Sequence, residues 1–275
     1  MPFDGLTNEQ LREQAPGIFA LQAAPDVSER YAYLPSHQVI DEMRSLGMVP
    51  VQASTGRKRN PSGRAFAMHQ IVFRPLGFYS RAPELGELTP QVFFLNSHDR
   101  TSPLAFDAGM ERAVCTNGMR TTDAKLGLSF KVRHTGKGRL DELHAGMRRL
   151  IEGLDKIVEV ANDWNRIELN DRQVVDFAKK AIALKGTTLA IEPEQLLTAR
   201  RHMDEGLSLW RVFNRVQENI VKGGVSGITA SGRRASLKRI STLAADVDFN
   251  RRLWTAASDL AAEVKPVSIS VPALA

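Results

Sequence analysis

The chain has 275 residues, enough for one large domain or two modest ones. Its 43% hydrophobic and 25% charged residues exclude a wholly disordered, collagenous or coiled-coil chain, and its single cysteine excludes an internal disulfide and a multi-thiolate zinc site within one chain. Lys plus Arg number 37 against 31 Asp plus Glu, a formal charge of +6, so the total favours an acidic partner only weakly and the charge pattern matters more.

Residues 1–35 read as an N-terminal arm. They hold no basic patch followed by an apolar run, and no 18-residue apolar window occurs further on, so neither a signal peptide nor a membrane span is expected and the cytoplasm is the expected location. Ser36 can cap a helix to about Leu46, with Val39, Ile40 and Met43 on one side and Gly47 ending it. Met48 to Gln52 starts a strand, and Ala65 to Arg74 resumes strand character by alternation. The basic, Gly- and Pro-containing stretch 55–63 between them predicts a β-hairpin with a long basic tip. Gln91 to Asn96 is a third strand. Leu104 to Thr116 alternates as a fourth, with Gly109 marking a bulge or a close backbone approach and Asn117-Gly118 the following turn. Leu128 to Arg133 is a fifth. The connections are too short for crossover helices, so residues 36–139 predict an antiparallel α+β core rather than a Rossmann sheet.

After Gly138 the period changes from 2 to 3.6. Leu140, Leu143, Met147, Leu150, Leu154, Ile157 and Ala161 form one helical stripe to about Trp164. Further helices are predicted over 171–184 (with Asn170 as N-cap), 192–203, from about Leu209 to before Gly223-Gly224, and 248–262. Residues 140–262 therefore form a mostly helical layer, expected to pack on the core and give an α+β fold. Residues 263–275 form a tail, either frayed or, through the alternation of Val267, Ile269 and Val271, an edge strand or an arm on a neighbouring copy.

The basic charge is concentrated where acids are absent. No Asp or Glu falls between Glu42 and Glu84, an interval holding Arg57, Lys58, Arg59 and Arg64 at the hairpin tip. None falls between Glu218 and Asp246, an interval holding Lys222, Arg233, Arg234, Lys238 and Arg239 around the glycine-rich loop 223–232. Lys131 and Arg133 begin a third basic cluster that runs through His134 and Lys137 to Arg139. Cations on a flexible loop can mould to a phosphate backbone and release its counterions. Phe66, His69, Phe73, Phe78 and Tyr79 flank the first interval. Bases stack on exposed rings, although strand phenylalanines commonly belong to a core, so His69 is taken as the surface stacker or phosphate donor.

Enzymatic signatures are weaker. Asn96-Ser-His-Asp99 has turn composition, with an acid–base or metal site involving His98, Asp99, Asp107 and Glu111 as the alternative. Cys115 reads as a small buried residue, since a nucleophile needs a base and access. The glycines near 223 lack the order of a phosphate-binding P-loop. No catalytic residue, metal or cofactor is assigned.

Several stretches in this order resemble a family found in phages, plasmids and bacterial chromosomes, a domain of unknown function often named phage/plasmid-like protein. They are Asn96-Ser-His-Asp99, Arg112-Ala-Val-Cys-Thr-Asn-Gly118, His134-Thr-Gly136, Asn214-Arg-Val-Gln-Glu-Asn219 and Asn250-Arg-Arg-Leu-Trp-Thr-Ala256. That resemblance spans roughly 35 to 260 and carries no catalytic assignment to transfer, so it names no function. More distantly, a helix, a long antiparallel hairpin, further strands and a following helix are similar in topology to the single-strand annealing proteins of recombination. Those proteins hold one DNA strand in a basic groove of an oligomer. Annealing needs no nucleophile, only phosphate contacts and screening of charge between strands. The expected function is thus single-stranded DNA binding by a homo-oligomer, in strand annealing for recombination or repair. The alternatives are a protein–protein module of a phage or plasmid that regulates a host factor, and a metal-dependent nuclease.

Overall fold

A computed structural model gives the fold. It describes residues 5–56, 61–76, 88–112, 115–120, 128–134 and 139–264. The tip residues Arg57, Lys58 and Arg59, the aromatics Phe78 and Tyr79, and the tail from 265 lie outside the described residues. The chain divides into two units, one of residues 1–159 with 240–251 and the other of 160–239 with 252–275.

The first unit is α+β and built on an antiparallel sheet, as the period-two stretches predict. Strands β1 (Met48–Thr55), β2 (His69–Pro75), β3 (Leu88–Asn96), β4 (Leu104–Arg112) and β5 (Cys115–Arg120) follow one another in order, and β6 (Ser129–Val132) also pairs with β4. β5 and β6 share one edge of β4: β6 takes Leu104 to Asp107, and β5 takes Gly109 to Arg112. The ladder slips between Met110 and Arg112, beside the predicted bulge glycine.

Several strand boundaries differ from expectation: β1 runs on to Thr55 and β3 begins at Leu88. β2 starts at His69, because residues 65–68 turn after a single helical turn α3 (Pro61–Arg64). The stretch 104–116 is two strands, since Arg112 faces Cys115 across the ladder and the chain reverses between them. Asn117-Gly118 therefore lies inside β5, where pairing with β4 overrides its turn preference.

Both faces of the sheet are covered. Phe94, Phe106 and Phe130 are neighbours in register on one face, with ring centroids 5.0 and 4.9 Å apart. Helix α4 (Arg139–Glu152) crosses that face with Gly146 against Phe130, and α2 (Ser36–Ser45) meets it near His69. On the opposite face Leu95 and Ala105 pack against Val247, in the first half of α8 (Leu243–Val264). The N-terminal segment is no loose arm. Its helix α1 (Asn8–Gln14) carries a Thr7–Gln10 capping box, and Leu11, Ala15 and Ile18 are wholly buried. Ala53 N–H on β1 donates to Gln14 Oε1 at 2.9 Å, fixing the segment to the sheet edge.

The close approach of α4 to the sheet makes a prediction. A Cβ at Gly146 would lie 2.5 Å from the Phe130 ring, which cannot retreat because it stacks on Phe106. Gly146→Ala is expected to cost about 1–3 kcal/mol by overpacking. Urea unfolding of the two proteins measures it, and an unchanged midpoint would contradict this packing.

The long helix expected over 140–164 is two, α4 and α5 (Leu154–Arg166), interrupted at Gly153, whose N–H bonds both Arg149 O and Leu150 O. The second unit begins within α5 and holds α6 (Asp171–Lys185) and α7 (Leu209–Lys222). Asn170 caps α6 through a capping box with Gln173, and Gly186 closes it at φ +65°. Trp164, Phe213 and Trp254 form an aromatic centre with centroids 4.4 to 5.9 Å apart. The helix expected over 192–203 is two 3-10 turns, Pro193–Leu197 and His202–Asp204. The buried Asn219 donates to the carbonyls of Leu196 and Thr198, satisfying backbone that a helix would have paired itself. The glycine-rich loop is a β-hairpin of β7 (Ser226–Ile228) and β8 (Arg234–Ser236), extended by a bridge between Ile228 and Ala190.

Candidate functional site

The hairpin of the second unit turns over 229–233. Thr229 N–H bonds Arg233 O at 2.9 Å, and Thr229 Oγ1 accepts from Arg233 N–H at 3.1 Å. Gly223 (φ +69°) lets the chain double back after α7, since a Cβ there would lie 2.5 Å from Leu237 O. Alternation along β8 and beyond then sorts the side chains. Leu237 is buried, while Arg234, Ser236 and Lys238 are exposed, as are Arg233 in the turn and Arg239 after the strand. Among the described residues, none of Arg233, Arg234, Lys238 and Arg239 forms an ion pair. Lys222 differs: it pairs with Glu218, which also takes a bidentate bond from Arg201 at 2.8 and 3.0 Å. Its charge is balanced locally, which weakens its candidacy as a phosphate contact.

In the first unit Arg64, Lys131 and Arg133 are exposed. His69 is not. It is fully buried, as is Phe73, so the expectation of a surface stacker fails. The reason is register: as the first residue of β2, opposite Asn96, His69 points at the face that α2 covers.

There it joins a buried polar cluster. His69 Nδ1–H donates to Ala67 O at 2.9 Å, which leaves Nε2 to accept from Ser36 Oγ–H at 2.7 Å. Asn96 Nδ2 donates to Ser36 Oγ at 3.0 Å and to Leu34 O at 3.2 Å. His98 Nε2 lies 3.5 Å from Ser36 Oγ, with its ring 5.2 Å from that of His69. Burial pushes His69 down to about 4. Burial, then the neighbouring His69 and His134, push His98 down to about 3, against weaker pulls from the Gly17 backbone and Asp99. Both rings are therefore neutral at pH 7. A serine hydrogen-bonded to a histidine has the form of a nucleophile and its base. Ser36, His69, Asn96 and His98 are all 0% exposed, however, and the cluster ties α2 to the sheet. Ser36 is thus not the cap of α2: it is the first helical residue, and its hydroxyl is spent on His69.

The other residues of the acid–base alternative are engaged separately. Asp99 makes the expected turn, accepting from Thr101 N–H at 3.1 Å. Asp107 is 1% exposed and receives Arg251 Nε and Nη2 at 3.0 and 2.6 Å and Ser129 Oγ at 2.9 Å. Glu111 is paired with Arg74 and accepts from Gln91 at 3.0 Å. Among the described residues no three His, Cys, Asp or Glu side chains converge on a metal-sized space. Beside Asp107 the buried Arg120 lies over Phe93 at 4.1 Å and bonds Gln70. Burial pushes it down to about 10, while Asp246 and Asp107 oppose this. The sequence marked Ser36 only as a helix cap and did not mark Arg120, because the roles of both depend on partners distant in the chain.

A family model for a domain of unknown function, DUF932, matches residues 25–254. The chain belongs to the DUF932 family. Two Escherichia coli K12 relatives, UPF0380 protein YafZ and UPF0380 protein YfjQ, are each 31% identical to it over 264 residues, 94% of this chain and 93% of theirs. No solved structure matches the chain. Among the described residues of this DUF932 chain, no helix is long and apolar enough to cross a membrane.

Proposed function

We propose that this DUF932 protein is a cytoplasmic, homo-oligomeric single-stranded DNA-binding protein that serves strand annealing in recombination or repair. One observation carries the reading. Arg233, Arg234, Lys238 and Arg239 stand exposed on or beside a short β-hairpin, in a stretch that holds no acid from Asn219 to Ala245. Such a row of uncompensated cations neutralises phosphates and gains from counterion release, with no reading of base edges. An ordered hairpin holds the cations at less entropic cost than a flexible loop. Oligomerisation multiplies a weak site where one strand spans neighbouring subunits. Arg64, Lys131 and Arg133 supply further exposed charge in the first unit.

The test is neutralisation of the four hairpin cations to Gln, which removes little packing. Single-stranded oligonucleotide binding, followed by anisotropy across a salt series, is expected to weaken. The slope of log affinity against log salt is expected to flatten by roughly three units if all four touch phosphates. A folded variant with unchanged affinity and slope would defeat the proposal.

A further inference from the structure

We infer that the second unit also carries a cavity for a phosphate monoester of nucleotide size, where the end of α6 meets the β7–β8 hairpin. A cavity of about 460 Å³ opens there, with Lys185, Thr188, Ser236 and Lys238 among its lining residues. That volume lies within the range of small-ligand sites, roughly 300–1,000 Å³. Its chemistry is that of an anion receptor. Two ammonium groups and several hydroxyls line it, Leu189 and Leu237 add apolar wall for a sugar or base, and among the described residues no carboxylate does.

The end of a helix carries partial negative charge, which would oppose an anion. Here that charge is quenched. Gly186 N–H bonds the carbonyls of Ile182 and Ala183, and the Arg252 guanidinium takes the carbonyl of Leu184. Among the described residues neither Lys185 nor Lys238 has an acidic partner. Burial lowers the pKa of the Lys185 ammonium, and an anion in the cavity would favour its charged form. The cavity is distinct in role from the outer face of the hairpin. Arg233 and Arg234 do not line it, Lys185 does, and Lys238 belongs to both.

The probes are deoxyadenosine 5′-monophosphate, with deoxyadenosine as control, and one oligonucleotide with either a 5′-phosphate or a 5′-hydroxyl. Titration calorimetry on the full chain is expected to show the monophosphate, the 5′-phosphorylated strand or both binding about tenfold or more tightly than the control lacking phosphate. Preference for the free monophosphate identifies a nucleotide as the occupant. Preference confined to the oligonucleotide pair identifies a strand end. Lys185→Met is expected to abolish the discrimination and Lys185→Arg to retain it, with thermal melting confirming that both variants fold. Arg233→Ala with Arg234→Ala is expected to weaken oligonucleotide binding yet leave the phosphate discrimination intact, so failure of the strand-binding reading and failure of the cavity register separately. Equal binding with and without phosphate in both pairs, or discrimination unaltered in Lys185→Met, would overturn the inference.

Discussion

Acidification from pH 7 to about 4 is expected to remove several kcal/mol of stability from the first unit, before its carboxylates are fully protonated. The source is the buried pair His69 and His98. Their ordinary value is 6.5, and the fold lowers them to about 4 and about 3. Between those limits the unfolded chain binds protons that the folded chain does not, so stability falls as pH falls. The contribution is fully present above 6.5 and is lost as pH drops towards the folded values. A tenfold change in proton affinity corresponds to about 1.4 kcal/mol, and the two rings lie close enough to titrate as a coupled pair. Asp246 acts in the opposite sense, since burial raises its pKa, but it is one group against two. Guanidinium unfolding at pH 7, 5.5 and 4.5 measures the slope. Replacing both histidines by Gln is expected to flatten it. Equal stability of the parent at pH 7 and 4.5 would show that the rings are not held neutral.

Arg251→Met is expected to cost about 3–5 kcal/mol, the range for stranding one member of a buried ion pair. Asp107 is 1% exposed, both Arg251 bonds end on its Oδ2, and Ser129 is bonded to its Oδ1. Without the guanidinium, a carboxylate remains in a site closed by the sheet and α8. Adding Asp107→Asn to Arg251→Met is expected to recover part of the loss, because the charge that was stranded is gone. Thermal and urea unfolding of the two single variants and the double variant form the cycle. A single-variant cost below about 1 kcal/mol would mean that the pair is solvated rather than buried.

Much of the architecture was legible from local pattern. The apolar starts at 48–52 and 91–96 and the alternation in 65–74 report strands, and the stripe from Leu140 reports helical structure. Asn170 with Gln173, and Gly186 at φ +65°, mark helix ends through contacts within a few residues, so α6 was readable almost to the residue. The errors fall where a distant partner decides. Residues 192–203 have helical composition, yet the buried Asn219 amide, some twenty residues on, satisfies their carbonyls as turns. The glycines of 223–232 read as flexibility, yet Ile228 exchanges two backbone bonds with Ala190 and orders the hairpin.

The same division runs through the site. Charge is a property of the residues themselves, so the sequence by itself determined where uncompensated cations gather, and Arg233, Arg234, Lys238 and Arg239 do stand exposed. Exposure of one given side chain is not such a property. A one-residue shift in the pairing register of β2 would move His69 from one face of the sheet to the other, because successive side chains alternate. Ladder pairing with Asn96 and the arrival of Ser36 on α2 decided that His69 is buried. Lys222, equal to its basic neighbours in the chain, was neutralised by Glu218 one helical turn before it, an acid held in place by Arg201. Local pattern determines which charge is present and, where no distant partner overrides it, which element forms. Only tertiary packing decides which face meets water, since burial and pairing depend on residues the chain brings together from far apart.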